Sequence, residues 1–324
     1  MKDFEINSIL FVKLDHIGDM ILATPVFQAV KEKYPNCRLG VLCSSKGKLV
    51  LLKNPYVDEV FVYNPDMFDR SKDNTIFTKL VDFNTLLEVR RQQFDVSISL
   101  REDHENVIIQ KMTGAKFNIA FSSDSPYPEL LDYSIPNPGT VHAADKNFAF
   151  LELIDVVRPF RIKTELFPDE ADLEWADRFL QDNNVTCFDK VVVICPGGGW
   201  FLNWWPWENY TRLCEDLSMY NPTYKIVLVG GNAEKDVFAN IKEYCGEKVI
   251  DAGGKTTLQQ LSALCLKARL VVCNDGGPMH VASTAGVPII AMFGPSPEWF
   301  YPVGEDNIII RKEFACSPCP QFQP

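Results

Sequence analysis

Cys273-Asn274-Asp275-Gly276-Gly277-Pro278-Met279-His280 follows the apolar run 268–272 and precedes Val281-Ala282-Ser283-Thr284-Ala285. The order predicts a strand, a sharp glycine turn and a helix with Pro278 in its first turn. Such a turn presents unpaired backbone N–H groups at a helix N-terminus, where they and the helix dipole favour an anion such as a phosphate. A nucleotide site is one reading; a Gly-Gly turn that merely redirects the chain is another.

Outward from this stretch, apolar runs alternate with amphipathic helical segments along the whole chain, the pattern of parallel sheets with crossover helices. In the first half the pattern predicts strands over 8–14, 38–43, 59–63, 95–100 and 116–121, with helices notably over 20–33 and 77–93. In the second half it predicts strands over 190–195, 224–229, 248–250, 269–273 and 288–293. The fold class is α/β, each half with its own Rossmann-like sheet. Residues 159–172 mix proline, charge and isolated apolar side chains, as an interdomain linker does, which divides the chain into domains 1–160 and 161–324. A ligand is expected in a cleft facing the carboxyl ends of both sheets.

The 324 residues, 46% of them hydrophobic, suffice for two packed α/β domains. A formal net charge of -11 argues against non-specific nucleic-acid binding, which needs clustered Lys and Arg. No stretch approaches the ~18 consecutive apolar residues of a membrane span, and Met1-Lys2-Asp3-Phe4-Glu5 lacks the plan of a signal peptide. A cytoplasmic protein is expected, touching a membrane at most peripherally, at its inner face. The 10 cysteines are scattered, several in apolar strands (Cys43, Cys195, Cys273), where a reduced thiol acts as a small hydrophobe. Cys316 and Cys319 have ligand-like spacing, but one pair without a second is assigned no metal.

Three further segments bear on chemistry. In Lys13-Leu14-Asp15-His16-Ile17-Gly18-Asp19 an apolar strand ends, Gly18 permits a tight turn and Asp19 opens the following helix. Asp19 is either a helix cap or a carboxylate at a strand end serving as general base. In Cys195-Pro196-Gly197-Gly198-Gly199-Trp200, three glycines after a buried strand let the backbone approach a ligand and offer N–H groups to an anion. The tryptophans of Asn203-Trp204-Trp205-Pro206-Trp207 either wall a base or sugar or are core aromatics beside a turn, the reading adopted for Trp205 and Trp207. In Val229-Gly230-Gly231-Asn232-Ala233-Glu234, Glu234 either accepts hydrogen bonds from ribose hydroxyls or complements a helix dipole with no ligand at all.

Taken in order, these segments resemble glycosyltransferase family 9, the heptosyltransferases of lipopolysaccharide core assembly. The likeness runs through VKLDHIGDMILATP (12–25), Pro-x-Val-Asp-Glu-Val (55–60), GGG (197–199) with WWPWENY (204–210), VLVGG (227–231) with Glu234, and CNDGGPMHVASTAGVPIIAMFGPSPEWFYP (273–302). It implies the GT-B fold, two Rossmann-like domains with parallel sheets facing a central cleft, the N-terminal one holding the acceptor and the C-terminal one a nucleotide-sugar donor. It also implies an inverting, metal-independent glycosyltransferase without cofactor, moving heptose from ADP-heptose to a lipopolysaccharide core or related surface-glycan acceptor. By the same resemblance Asp19 is the general base and Glu234 contacts the nucleoside ribose. Asp275, Gly276, Gly277, Pro278, Met279 and His280 span the donor motif, Gly197, Gly198, Gly199 and Asn203 complete the donor side, and Phe293-Gly294-Pro295-Ser296 helps to shape it. No Asp-x-Asp pair stands in a loop suited to a divalent ion, and oriented N–H dipoles can stabilise the departing diphosphate instead.

The chain departs from the family pattern in three places. Asn203 stands where many members have a lysine able to neutralise phosphate, with Lys13 or the glycine-loop N–H groups as possible compensation. Gly276 stands where the family often has threonine. The sequence ends at Gln321-Phe322-Gln323-Pro324, where members commonly continue into a final helix, so a shortened chain or a missing helix is expected. On the acceptor side Lys13, Arg101, Asp103 and His104 are candidates, the last three because they follow the strand ending at Leu100, Arg101 foremost; Lys46, Lys48 and Lys53 either bind an anionic acceptor or solvate a surface. Alternatives to heptosyl transfer are the same fold with another nucleotide sugar or acceptor, a degenerate nucleotide-sugar-binding protein without catalysis, and a sugar-nucleotide epimerase.

Overall fold

The computed structural model describes residues 5–64, 76–101, 104–121, 128–314 and 319, with the side chains of 76–82, 104–105 and 128 outside that description. The chain divides into two compact units, Met1–Ile162 and Lys163–Pro324.

The first unit contains six strands, β1 (Ser8–Lys13), β2 (Arg38–Cys43), β3 (Glu59–Val62), β4 (Val96–Ser99), β5 (Phe117–Phe121) and β6 (Tyr133–Ile135), all parallel in the order β3-β2-β1-β4-β5-β6. Its helices are α1 (Ile17–Ile21), α2 (Thr24–Lys33), α3 (Ser45–Leu51), α4 (Ile76–Arg91), α5 (His104–Met112) and α6 (Ala143–Phe148). Central β1 is buried along its whole length, as a parallel strand covered on both faces must be. Leu10 and Val12 pack on one face with Leu42, Phe61, Leu86 and Phe94, while Phe11 on the other meets Phe27 of α2, ring centroids 5.3 Å apart. Asp95 ties β1 to β4 from below: its Oδ2 accepts from the backbone N–H of Asn7 (2.9 Å) and Ser8 (3.0 Å), and its Oδ1 from Lys116 (2.7 Å).

The helix predicted over 20–33 is two helices. Pro25 has no N–H to give the Ile21 carbonyl, so α1 stops there; Thr24 Oγ1 donates to that carbonyl instead, at 2.8 Å, and α2 starts afresh. The break also releases the Leu22 carbonyl, which accepts from Asn147 Nδ2 of α6 at 3.0 Å.

The second unit repeats the arrangement. Its strands β7 (Lys190–Cys195), β8 (Tyr224–Leu228), β9 (Val249–Asp251), β10 (Ala268–Asn274), β11 (Ile289–Phe293) and β12 (Ile308–Arg311) are parallel in the order β12-β11-β10-β7-β8-β9. Counted from its own first strand, each unit thus has the order 3-2-1-4-5-6. Helices α7 (Glu170–Asp182), α8 (Trp207–Tyr220), α9 (Lys235–Cys245), α10 (Leu258–Lys267) and α11 (Gly277–Thr284) complete it. Asp169 with Asp172 and Thr257 with Gln260 form reciprocal capping boxes at the starts of α7 and α10. Within the segment read as a linker, Thr164 and Leu166 are buried, the Thr164 hydroxyl meets that of Ser283 at 3.1 Å, and Glu170 already opens α7.

The described cysteines are free thiols. Cys195 and Cys273 are register partners on β7 and β10, and burial pushes both thiols up, as it pushes Cys265 up to about 12. They behave as small hydrophobes. Cys316 lies outside the described residues. Among the described residues no helix is long and apolar enough to cross a membrane.

Candidate functional site

In a doubly wound sheet the loops after the two strands at which the order reverses diverge, leaving a crevice at their carboxyl ends. Those strands are β1 and β4 in the first unit, β7 and β10 in the second.

At the first reversal, Lys13 is the last residue of β1 and is buried. Its Nζ contacts Asp15 Oδ2 at 3.0 Å and donates to the Leu100 carbonyl at 3.1 Å. Arg101, just beyond β4, reaches Asp15 Oδ1 with its guanidinium at 3.1 Å. Lys13 and Arg101, both acceptor candidates, therefore share one carboxylate, that of Asp15, which no sequence motif marks as a site residue. Ser44 Oγ donates to the Asp15 carbonyl at 2.7 Å and accepts from Gly47 N–H at 3.1 Å, capping α3 and pinning the β1–α1 turn together.

Asp19 stands in the first turn of α1, half-buried, and the N–H of His16 donates to its carboxylate. Burial and the Asp15 charge raise its proton affinity above that of an ordinary aspartate, against the opposing pull of Lys13, His16 and that N–H. Asp19 is not the cap of this helix, a position that His16 takes without a side-chain bond; it follows three residues later, in the first turn. Lys46, Lys48 and Lys53 are exposed. Asp103 and the His104 side chain lie outside the described residues.

At the second reversal three glycine turns meet. Asn274, at the end of β10, is 2% exposed and acts as the hub. Its Nδ2 donates to the carbonyls of Pro196 (2.9 Å) and Gly197 (3.2 Å), while its Oδ1 accepts from the Trp205 N–H (2.9 Å) and the Tyr210 hydroxyl (2.8 Å). Trp204 Nε1 donates to the Gly198 carbonyl at 3.0 Å. Trp205 and Trp207 pack against the core of β7, β8 and β10, as core aromatics.

Asn203 is buried, and its amide is committed within the protein: Nδ2 lies 2.8 Å from Asp275 Oδ2 and 3.2 Å from Ser296 Oγ. Buried Glu234 lies across Gly197, where a Cβ would come within 2.1 Å of the Glu234 Cγ, so only glycine fits. One Glu234 carboxylate oxygen, Oε2, has no hydrogen-bond partner among the described residues. Gly276 caps α11 without a side-chain acceptor, Pro278 occupies its first turn, and a Cβ on Gly276 would lie 3.5 Å from Gly198 Cα. Met279 and His280 point inward and are buried. The predicted donor residues thus form one cluster in this unit; the hub Asn274 and the tie to Ser296 are what residue-by-residue reading missed. Among the described residues no group of three or more His, Cys, Asp and Glu gathers as a metal site.

Residues 85–323 match glycosyltransferase family 9 (heptosyltransferase). The chain belongs to this family. It is similar to lipopolysaccharide heptosyltransferase 3 of Escherichia coli strain K12, 23% identical over 300 residues that cover 90% of this chain and 84% of that protein. Among solved structures it is similar to the family 9 glycosyltransferase of Veillonella parvula DSM 2008, with a TM-score of 0.81 at 23% identity, covering 94% of this chain and 86% of that one. A second is the E. coli heptosyltransferase WaaC with ADP, with a TM-score of 0.77 at 15% identity, covering 94% and 93%. The fold of this family 9 glycosyltransferase is accordingly GT-B, built from two Rossmann-like units.

Proposed function

We propose that this glycosyltransferase moves a heptosyl group from an ADP-linked donor to a lipopolysaccharide core or related surface glycan, with inversion and without a metal ion. The observation that carries the donor half is the gathering of three glycine turns at the ends of β7, β8 and β10 around the carboxylates of Asp275 and Glu234. A buried carboxylate oxygen without a donor is costly, and a ribose hydroxyl donating to Glu234 Oε2 relieves that cost. Backbone N–H groups of Gly197, Gly198, Gly199, Gly276 and Gly277 receive the diphosphate, aided by the positive end of α11. The names of the relatives support heptose and ADP as the sugar and nucleotide.

In the reaction an acceptor hydroxyl oxygen attacks the anomeric carbon, its proton passes to Asp19, and the bond to the diphosphate oxygen breaks from the opposite face. Amide dipoles fixed before the reaction meet the negative charge that grows on the leaving diphosphate. Lys13 and Arg101 serve the acceptor end in this reading, and the first unit is the acceptor-binding one. The enzyme works in the cytoplasm, meeting its acceptor at the inner face of the membrane.

Asn203 favours one variation. Because its amide is spent on Asp275 and Ser296, no cationic side chain stands at that position to meet the phosphates. The same fold with another nucleotide sugar is therefore the second reading. Turnover and saturation-transfer NMR with ADP-, GDP- and UDP-linked sugars separate the two: ADP-heptose is expected to bind and turn over, and turnover confined to a GDP or UDP sugar would replace it. Activity is expected to survive EDTA; loss on chelation with recovery on adding Mg²⁺ or Mn²⁺ refutes the metal-free step.

A further inference from the structure

The turn between β1 and α1 holds a second carboxylate, Asp15, four residues before Asp19. Three elements fix it in place. Lys13 of β1 contacts Oδ2 at 3.0 Å, Arg101 after β4 contacts Oδ1 at 3.1 Å, and Ser44, the cap of α3, donates to its carbonyl at 2.7 Å. Lys13 is itself held by the Leu100 carbonyl at 3.1 Å, so neither charge of that pair is free to swing away. All three ionic side chains are largely withdrawn from water, at 10% exposure for Lys13, 14% for Asp15 and 22% for Arg101.

We propose that Asp15 is the positioning residue of Asp19: through Lys13, Arg101 and Ser44 it fixes the turn that carries the base, and it stands beside that base as an immobile negative charge. This inference rests on Asp19 being the base. A neutraliser of buried Lys13 would need only one oxygen; Asp15 takes a cation on each and remains next to a carboxylate that it repels.

The electrostatic consequence has a definite sign. Burial raises the proton affinity of Asp19 most and the Asp15 charge raises it next, while Lys13 and His16 oppose both. Among the described residues, other charged groups on the surrounding elements include Arg101 at the end of β4, exposed Lys46 and Lys48 on α3, and on α6 half-buried Asp145, paired with Arg158, and half-buried Lys146, pushed down to about 8 by burial and by Lys13. A higher proton affinity makes Asp19 a stronger base once ionised and moves the onset of activity to higher pH.

The test is to follow the ¹³C carboxyl titration of Asp19, assigned by its loss in Asp19→Asn, together with the pH profile of kcat/KM, in wild type, Asp15→Asn and Asp15→Glu. Asp15→Asn is expected to move the Asp19 midpoint and the acid limb of kcat/KM to lower pH, so that the ratio of variant to wild-type kcat/KM climbs as pH falls; Asp15→Glu is expected to hold both near wild type. Should Asp15→Asn fail to fold, Asp15→Ser, which keeps an oxygen near Lys13 and Arg101 but carries no charge, takes its place with the same expected fall of the midpoint. An Asp19 midpoint that stays put in a folded variant without Asp15 overturns the inference. A midpoint that moves while the kinetic limb does not removes Asp19 as the base and overturns the inference along with that reading, whereas a fixed midpoint overturns the inference alone.

Discussion

The two units share one strand order but furnish their reversal points in different ways. In the first, the carboxyl ends of β1 and β4 carry ionisable side chains: Lys13 and Arg101 both contact Asp15, and Asp19 follows in the first turn of α1. In the second, the ends of β7 and β10 carry glycines, main-chain amides and the neutral amides of Asn203 and Asn274, with the carboxylates of Asp275 and Glu234 among them. Topology therefore decides where a site is built and leaves its chemistry open. Titratable groups on rigid strand ends suit proton transfer, whereas glycine N–H groups at a helix start suit a ligand that brings its own negative charge.

Substitutions on the two sides should fail in correspondingly different ways. The largest effect is expected from Asp19→Asn, with kcat lower by roughly 100-fold or more and donor affinity nearly unchanged, checked by steady-state kinetics and calorimetry with nucleotide. Unimpaired kcat would strip the first unit of its proposed role. Asn274→Ala should do the converse. It leaves the Tyr210 hydroxyl and two carbonyls without their partner, costs about 2–4 kcal/mol in urea unfolding and weakens nucleotide binding. Gly197→Ala drives a methyl group into Glu234 and should cost about 1–3 kcal/mol, and the double variant with Glu234→Ala should recover most of that stability while still binding nucleotide poorly.

The smallest effect sharpens the contrast in pH response. Although burial works against it, the hydrogen bonds from Lys116, Asn7 and Ser8 hold the Asp95 carboxyl below the usual aspartate range. A group with a lowered folded value contributes stability that is complete above its unfolded value, about 3.9, and is lost as pH falls through the folded one. Asp95→Asn should thus flatten the acid side of the stability curve for the first unit, by about 1 kcal/mol or less because Lys116 is largely exposed. Melting curves between neutral and acid pH check it; an unchanged acid slope would discount the Asp95 ties.

The inner strands were legible because parallel strands covered on both faces are written as unbroken apolar runs, as in Ile9-Leu10-Phe11-Val12 and Val191-Val192-Val193-Ile194. Of the four outermost strands, β3 and β9 were legible and β6 and β12 were not. β6 is three largely exposed residues ahead of a proline, and β12 alternates exposed Ile308 and Ile310 with half-buried neighbours at a sheet edge. The apolar spacing over 20–33 persists through Pro25 and so predicts one helix, and the Ile21 carbonyl that Pro25 cannot serve decides otherwise. The glycine turns and carboxylates of the site stand in local motifs and could be read. What organises them could not, since Asn274 meets Pro196 78 residues away and Asp15 meets Arg101 only once β1 and β4 lie side by side.

The interruption between α1 and α2 carries a practical consequence. Since the Leu22 carbonyl that it sets free is taken by Asn147, the start of the first unit is stitched to its last helix across 125 residues. A recombinant fragment of the amino-terminal half should therefore extend past Asn147; one ending shortly after β6 would lack the stitch and leave the turn bearing Asp19 prone to fray and to early cleavage by proteases.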